Sequence, residues 1–261
     1  MAVDVVVVNY KTPDLLRDFV ESYEKYSGAV NTGAGCHLYI IDIQPDDPDG
    51  WLPGLYPNYT YVATEENLGY ARGCNLGASL GENDVILLAN ADTALSEGFQ
   101  ECYEELISHE DWGVLGPRQV DTHNRITAGG IFGTETSIGQ RGWQETDWGQ
   151  YSDVREDAMS ASGSLYFIKR ALWDELTTCE FMQAAYPGIE GAFIPTPHYY
   201  EETCCSYHAR NHGYKIVFYG PVQMIHHWHA ASEHGGWADQ QVQTSKTMMR
   251  QFLGSHSIVC E

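Results

Sequence analysis

The feature that most constrains the fold is "VDVVVVNY", Val3 to Tyr10, a nearly unbroken run of β-branched residues. Branching at Cβ restricts the side chain and favours extended backbone. A strand with one wet face alternates apolar with polar residues. This one does not, so both its faces are covered, as in the middle of a parallel sheet. The next segment agrees. Pro13 suits the first turn of a helix, and Leu15, Leu16, Phe19, Val20, Tyr23 and Tyr26 recur at helical spacing, which packs that helix back on the strand. "HLYIID" and "YTYVAT" read as further strands, separated by the Pro/Asp/Gly-rich "QPDDPDGWLPG". "NLGYARGCNLGASLG" reads as a helix with Asn67 as its N-cap. "DVILLANAD" is an apolar strand with a polar end. This alternation over residues 1–116 predicts an open α/β sheet, whose ligands sit at the carboxyl ends of the strands. Asn9, Asp42 and the Asn90–Asp92 pair fall there.

After Pro117 the pattern loosens into strands and turns, with an aromatic and acidic loop from Trp143 to Asp157. "SGSLYFIKRALWDEL" returns as strand then helix, residues 200–212 read as helical, and "YKIVFYG" reads as a strand. From Glu233 onward periodicity is weak. No repeat and no linker divides the chain.

The charge decides what such a sheet can bind. With 14 basic and 36 acidic residues the formal net charge is −22, which disfavours an extended nucleic-acid surface because phosphate recognition needs clustered Lys and Arg. An anionic ligand must then be held by backbone amides, a metal ion or a few placed cations. "MAVDVVVVNY" lacks the basic start and apolar length of a signal peptide, and no run is long enough to span a membrane. The 7 cysteines include no CxxC pair, so a cytoplasmic protein with reduced thiols is expected.

Four constellations carry chemistry. Gly69, Gly73 and Gly77 recur every fourth residue and bare one helix face, either for close packing on the sheet or for the approach of a ligand, with Asn67 and Asn75 offering hydrogen bonds. Asp92, at a strand end, is either a turn residue or a ligand to a hard cation such as Mg2+ or Mn2+. His226, His227 and His229 follow a strand, whose side chains alternate in direction, so at most two of them converge. That geometry disfavours a zinc centre built with Cys204 and Cys205. Glu201 and Glu202 open a helix, where the dipole favours negative charge, and they also suit a general base at a cleft edge.

In this order the segments resemble family 2 glycosyltransferases of the GT-A fold, most nearly the rhamnosyltransferase-like branch, over roughly residues 3–232. "VVVVNYKTPDLL" is similar to the opening strand, "IID" to the strand ending in a nucleotide-contacting Asp, and "ENLGYARGCNLG" to the branch's NxGxxxGxNxG block. "LLANADT" stands where the metal-binding DxD-type motif falls, with Asn90 in place of its first acid. "SGSLYFIKRALWDEL" resembles the small-residue strand beside the acceptor. The segment from Tyr199 to Ser232 resembles the block that carries a Glu-Asp pair, a second Asp, an Arg and a His.

The resemblance implies a Rossmann-like mixed central sheet flanked by helices, in one domain with a nucleotide-sugar-binding half (1–116), an acceptor-binding half (117–232) and a C-terminal extension (233–261). It implies a nucleotide-sugar donor, a divalent cation (Mn2+ or Mg2+) and inverting transfer to an acceptor hydroxyl. Asp92 and His226 become the metal ligands, and Glu202, with Glu201 beside it, the catalytic base. Asn9, Tyr10, Asp42 and Asn67 fall on the donor side, with Gly69, Arg72, Gly73, Asn75, Asn90 and Ala91. His208 and His229 are held in reserve. Two departures count: Cys204 stands for the block's second Asp and His208 for its Arg. They motivate the alternative of a non-catalytic sugar-nucleotide or glycan-binding relative.

Overall fold

The computed structural model describes residues 2–27, 35–46, 59–134, 137–228 and 239–259. In chain order the elements are β1 (Val3–Tyr10), α1 (Pro13–Tyr26), β2 (His37–Ile43), β3 (Tyr59–Thr64), α2 (Gly69–Ser79), β4 (Val85–Asn90), β5 (Thr93–Ala94), α3 (Phe99–Ser108), β6 (Trp112–Val120) and β7 (Ile126–Ala128). There follow β8 (Ile131–Thr134), β9 (Ser137–Gln140), β10 (Val154–Arg155), β11 (Leu165–Lys169), α4 (Arg170–Thr178), α5 (Glu180–Ala185), α6 (Glu201–Asn211), β12 (Lys215–His226) and α7 (Asp239–Val259).

The main sheet runs β10-β12-β6-β11-β4-β1-β2-β3. The half from β4 to β3 is parallel throughout. Strand β11 enters antiparallel to both β4 and β6, and β12 lies parallel to β6, so the sheet as a whole is mixed. Strand β1 sits inside it with both neighbours hydrogen-bonded, and the valine run explains why. Val3, Val5 and Val7 pack with Leu16 and Phe19 of α1 and Phe99 of α3 on one side. Val6 and Val8 pack with Cys74 and Ala78 of α2 and Leu172 of α4 on the other. Each buried valine contributes about 1.5–3 kcal/mol relative to exposure.

The glycine stripe of α2 divides in two. A Cβ on Gly77 would lie 2.2 Å from Val6 Cγ1, and one on Gly73 would lie 2.9 Å from Val8 Cγ1. These two therefore let the helix sit down on β1 and present no bare surface to a ligand. Gly69 has a φ of +66° and lines the cleft instead. Leu68 occupies the N-cap, while the Asn67 side chain accepts from Gly69 N at 3.0 Å, one residue beyond the expected cap position.

Two further ties set the frame. Asp4, buried at the start of β1, accepts from Arg170 Nη2 at 2.8 Å, Asn83 N at 2.9 Å and Asn83 Nδ2 at 2.7 Å, which fixes α4 to the lower edge of the sheet. The weakly periodic tail contains the 21-residue helix α7. Its Met249 and Phe252 join Met182, Ile194, Cys204 and Tyr207 in a satellite core, and Ser245 Oγ accepts from His198 N at 2.9 Å. The part of residues 233–261 that is described thus docks against α6.

Candidate active site

The carboxyl ends of β1, β2 and β4 open onto one cleft of about 250 Å3. The chain leaves β1 and β2 through left-handed residues, Lys11 (φ 56°) and Gln44 (φ 51°). Such conformations are uncommon for residues with a Cβ and cluster at functional sites. Beneath the turns Asn9 Nδ2 donates to Asp42 Oδ1 at 2.8 Å, Tyr61 OH donates to Asp42 Oδ2 at 2.9 Å, and Thr12 Oγ1 donates to Asn9 Oδ1 at 2.6 Å. Burial raises the Asp42 carboxyl above the ordinary range, against the pull of those hydrogen bonds. Asn9 and Asp42 are therefore a buried brace under the cleft floor, whereas Tyr10, Thr12 and Ile43 line it.

Asp92 and His226 are brought together by a two-residue strand. After β4 the chain turns at Ala91–Asp92, with Thr93 Oγ1 donating to the Asn90 carbonyl at 2.8 Å. Strand β5 then pairs antiparallel with the end of β12, and Thr93 stands opposite His226. The backbone N–H of His227 donates to the Asp92 carbonyl at 2.7 Å, which locks the register. Asp92 Oδ1 and His226 Nε2 lie 3.5 Å apart, and both side chains are nearly buried. Two ligand atoms each about 2.1 Å from one ion sit roughly 3–4 Å apart, so the pair fits a shared divalent cation. One carboxylate and one imidazole leave the remaining positions for water or ligand phosphates, as Mg2+-like sites usually do.

The paired glutamates open α6 after two strained residues. Tyr199 (φ 66°) and Tyr200 (φ 74°) are both left-handed, and together they turn the chain so that Glu201 and Glu202 face the cleft from the helix start. Glu201 is 4% exposed and its Oε2 accepts from Thr196 Oγ1 at 2.7 Å. Burial, then the like charge of Glu202, pushes its carboxyl up to about 8. Glu202 is half-buried beside Gly163, and its Oε1 accepts from Thr203 Oγ1 at 3.1 Å. Burial also lifts Glu202 above the usual carboxylate range. Such a pair holds a proton near neutral pH and has the tuning expected of a general base.

The cleft gathers Tyr10, Asn67, Gly69, Asn90, Ala91, Asp92, Glu201, Glu202 and His226 of the sequence-derived candidates. It does not gather the others. Arg72 donates to Glu66 at 2.7 Å on the surface, and Gly73 is on the face of α2 packed against β1. Asn75 is a strut, with Nδ2 donating to the Phe193 carbonyl at 2.9 Å and Oδ1 accepting from Phe193 N at 3.2 Å. His208 is fully buried further along α6, away from the cleft lining. His229 lies outside the described residues. Cys204 and Cys205 point into two different cores, so they do not converge with His226 on a zinc ion.

Sequence reasoning missed part of the far wall. Thr127 and Gln140 come from β7 and β9, in the stretch where periodicity is lost. Among the described residues, neither Thr127 Oγ1 nor Gln140 Oε1 has a hydrogen-bond partner although both atoms are buried. Trp143 and Trp228 meet edge to face at 4.8 Å and 87° on the same wall. Only the aromatic character of the Trp143 loop signalled this in advance.

The architecture, with the cleft at the carboxyl ends of the parallel strands and a mixed half completing the wall, is the GT-A glycosyltransferase fold. Solved structures show the likeness. TarS of S. aureus, residues 1–349, superposes with a TM-score of 0.60 at 12% identity over 87% of this chain and 60% of that one. GalNAc-T7 with UDP, GalNAc and Mn2+ gives 0.61 at 16% over 86% and 43%. The mannosyltransferase PcManGT from Pyrobaculum calidifontis, with GDP-Man and Mn2+, gives 0.58 at 13% over 89% and 59%. The chain thus spans about 43–60% of these neighbours' lengths. No protein-family model matches the chain, and no characterised protein matches it by sequence. No described helix is long and apolar enough to cross a membrane.

Proposed function

We propose that this chain is a metal-dependent, inverting glycosyltransferase of family 2 type, which moves a sugar from a nucleotide-sugar donor to the hydroxyl of a carbohydrate acceptor. The observation that carries the reading is the shared cleft: a cation-spaced Asp92–His226 pair and a buried Glu201–Glu202 pair line one cavity. On the donor side the turns at Lys11 and Gln44, with Tyr10, Thr12 and Asn67, form the floor on which the nucleotide lies. Asp92 and His226 hold the cation, which when bound neutralises the donor diphosphate as it departs. This answers the charge problem, since the cleft can bind an anion without a basic patch.

Glu202 takes the acceptor proton as that oxygen attacks the anomeric carbon from the face opposite the diphosphate. Its partial exposure admits the acceptor, and burial raises its carboxyl above the usual range, which strengthens its hold on a proton. Glu201, buried and bonded to Thr196, is a positioning residue that keeps a protonated carboxyl next to the base. Direct displacement at one centre inverts it. Trp143 and Trp228 offer stacking faces for sugar rings, and Thr127 and Gln140 offer unsatisfied polar atoms for hydroxyls. The non-catalytic alternative loses its motive here. Cys204 is in the satellite core and His208 is buried behind the cleft, so both departures from the family block lie off the cleft lining.

The test is release and transfer of sugar from a panel of UDP-, GDP- and dTDP-sugars, with and without Mn2+, on simple glycoside acceptors. One donor should turn over only with metal, and Asp92→Asn should abolish that turnover. Glu202→Gln should lower kcat about 100- to 10,000-fold, the usual worth of a general base. Full activity in Glu202→Gln would sink the assignment, and proton NMR of the product reads its anomeric configuration.

A further inference from the structure

A second constellation of metal-binding side chains lies outside the cleft. Cys179 stands between α4 and α5, and His208 and His212 stand four residues apart at the end of α6. The ligand atoms of these three residues all lie within 4.8 Å of one another. Cys179 Sγ and His208 Nε2 are 3.4 Å apart. In a tetrahedral zinc site a thiolate at ~2.3 Å and an imidazole at ~2.1 Å stand roughly 3.6 Å from each other. The i, i+4 spacing places both imidazoles on one face of the helix, turned toward the α4–α5 junction.

The surroundings combine an apolar wall, the edge of the satellite core, with the carboxylate partner that a metal centre uses. His212 Nδ1 lies 2.6 Å from Glu175 Oε1, so a carboxylate takes one ring N–H and leaves the other nitrogen free to coordinate. Carboxylate–histidine pairing of this kind orients metal ligands. Tyr214 OH donates to the other Glu175 oxygen at 3.4 Å. The His208 ring is enclosed by Phe181 and Phe252, with ring centres 5.7 and 5.9 Å away, and Met182 N donates to Cys179 Sγ at 3.4 Å. One sulfur and two nitrogens form a borderline-soft set that suits zinc, in contrast to the carboxylate–imidazole pair of the cleft.

We propose that Cys179, His208 and His212 bind a zinc ion, with water in the fourth position and Glu175 as the outer carboxylate that orients His212. The ion fastens the C-terminal end of α6 to the α4–α5 junction. Glu202 lies two helical turns from His208 on the same helix, so the pin also fixes the helix that carries the catalytic carboxylates. The proposal does not depend on the transfer reaction.

The test uses the full chain carrying Asp92→Asn, which removes the carboxylate ligand of the cleft. After equilibration with ZnCl2 and gel filtration, metal analysis should find about one zinc per chain, falling below about one tenth in Cys179→Ser and His212→Ala. Glu175→Gln should weaken zinc binding about 10- to 100-fold, the usual effect of removing an outer carboxylate. With Co2+ in place of zinc, a thiolate-to-cobalt charge-transfer band should appear and vanish in Cys179→Ser. Circular dichroism confirms that each variant folds; His212 is partly exposed and Cys179→Ser preserves side-chain size. No retained zinc, or zinc and cobalt signals unchanged by Cys179→Ser, would overturn the proposal and leave a thiol–imidazole hydrogen bond.

Discussion

At the scale of the residue, two neighbouring glutamates stand in different environments. Glu201 is sealed and bonded to Thr196, and Glu202 is open to the cleft. Glu201, raised to about 8, stays protonated while Glu202 ionises. In Glu201→Gln the rise of kcat with pH should therefore stay in place; a shift to lower pH would show that Glu201 carries charge in that range. Stability does respond. The folded-state value for Glu201, about 8, lies above its ordinary 4.5, so the folded protein holds that proton more tightly than the unfolded chain. Stability then falls as pH rises between those values and levels off above them. Glu201→Gln removes this loss, and thermal melts at pH 8.5 should show the variant gaining ~2 °C or more over the parent. Residue identity alone announced the pair, because adjacent acids after a Pro/Gly-rich segment are conspicuous. Their unequal burial was hidden, since it comes from Thr196, Gly163 and the left-handed turn at Tyr199–Tyr200.

At the scale of the element, the helix with the glycine stripe shows how spacing can mark a face without saying what covers it. The recurrence every fourth residue does mark one face, but sheet and ligand compete for it. Val6 and Val8 reach into the space that side chains at Gly77 and Gly73 would fill, so the sheet takes it. Gly77→Ala gains up to ~1 kcal/mol of helix propensity, yet forces a methyl against Val6 at a cost of about 1–3 kcal/mol. The clash should win, and calorimetry should show a lower Tm. The Asp4 network makes a second element-scale prediction. Arg170→Met leaves a buried carboxylate without its guanidinium, and loss of one partner from such a pair costs about 3–5 kcal/mol. Urea unfolding of that variant should show a matching fall in midpoint at constant slope. Strands β1, β2 and β4 were legible because burial on both faces writes itself as an apolar run. The hairpin β8–β9 and the wall residues Thr127 and Gln140 were not, since strands of three or four residues are too short to show a period. The long helix α7 was also missed, because its few buried side chains, Ser245, Met249 and Phe252, are spread through a polar sequence.

At the scale of the whole molecule, the net charge of −22 acts against compactness and against the approach of the proposed anionic donor. Raising salt from 0.01 to 1 M shortens the screening length from ~30 to ~3 Å, so Tm should climb across that range. The association rate of a nucleotide sugar should climb with it, the reverse of the behaviour of a basic binding surface. A flat or falling Tm would mean that local ion pairs outweigh the global repulsion. The join between β5 and β12 has a consequence in time. Asp92 leaves the ribosome early, and its partner His226 follows roughly 130 residues later, about 7–26 s at ordinary elongation rates. Until β12 has emerged and paired with β6 and β5, the nascent chain can complete the sheet's parallel half but lacks the second residue proposed to hold a cation. Capture of the proposed ion by both residues must therefore follow the synthesis of β12.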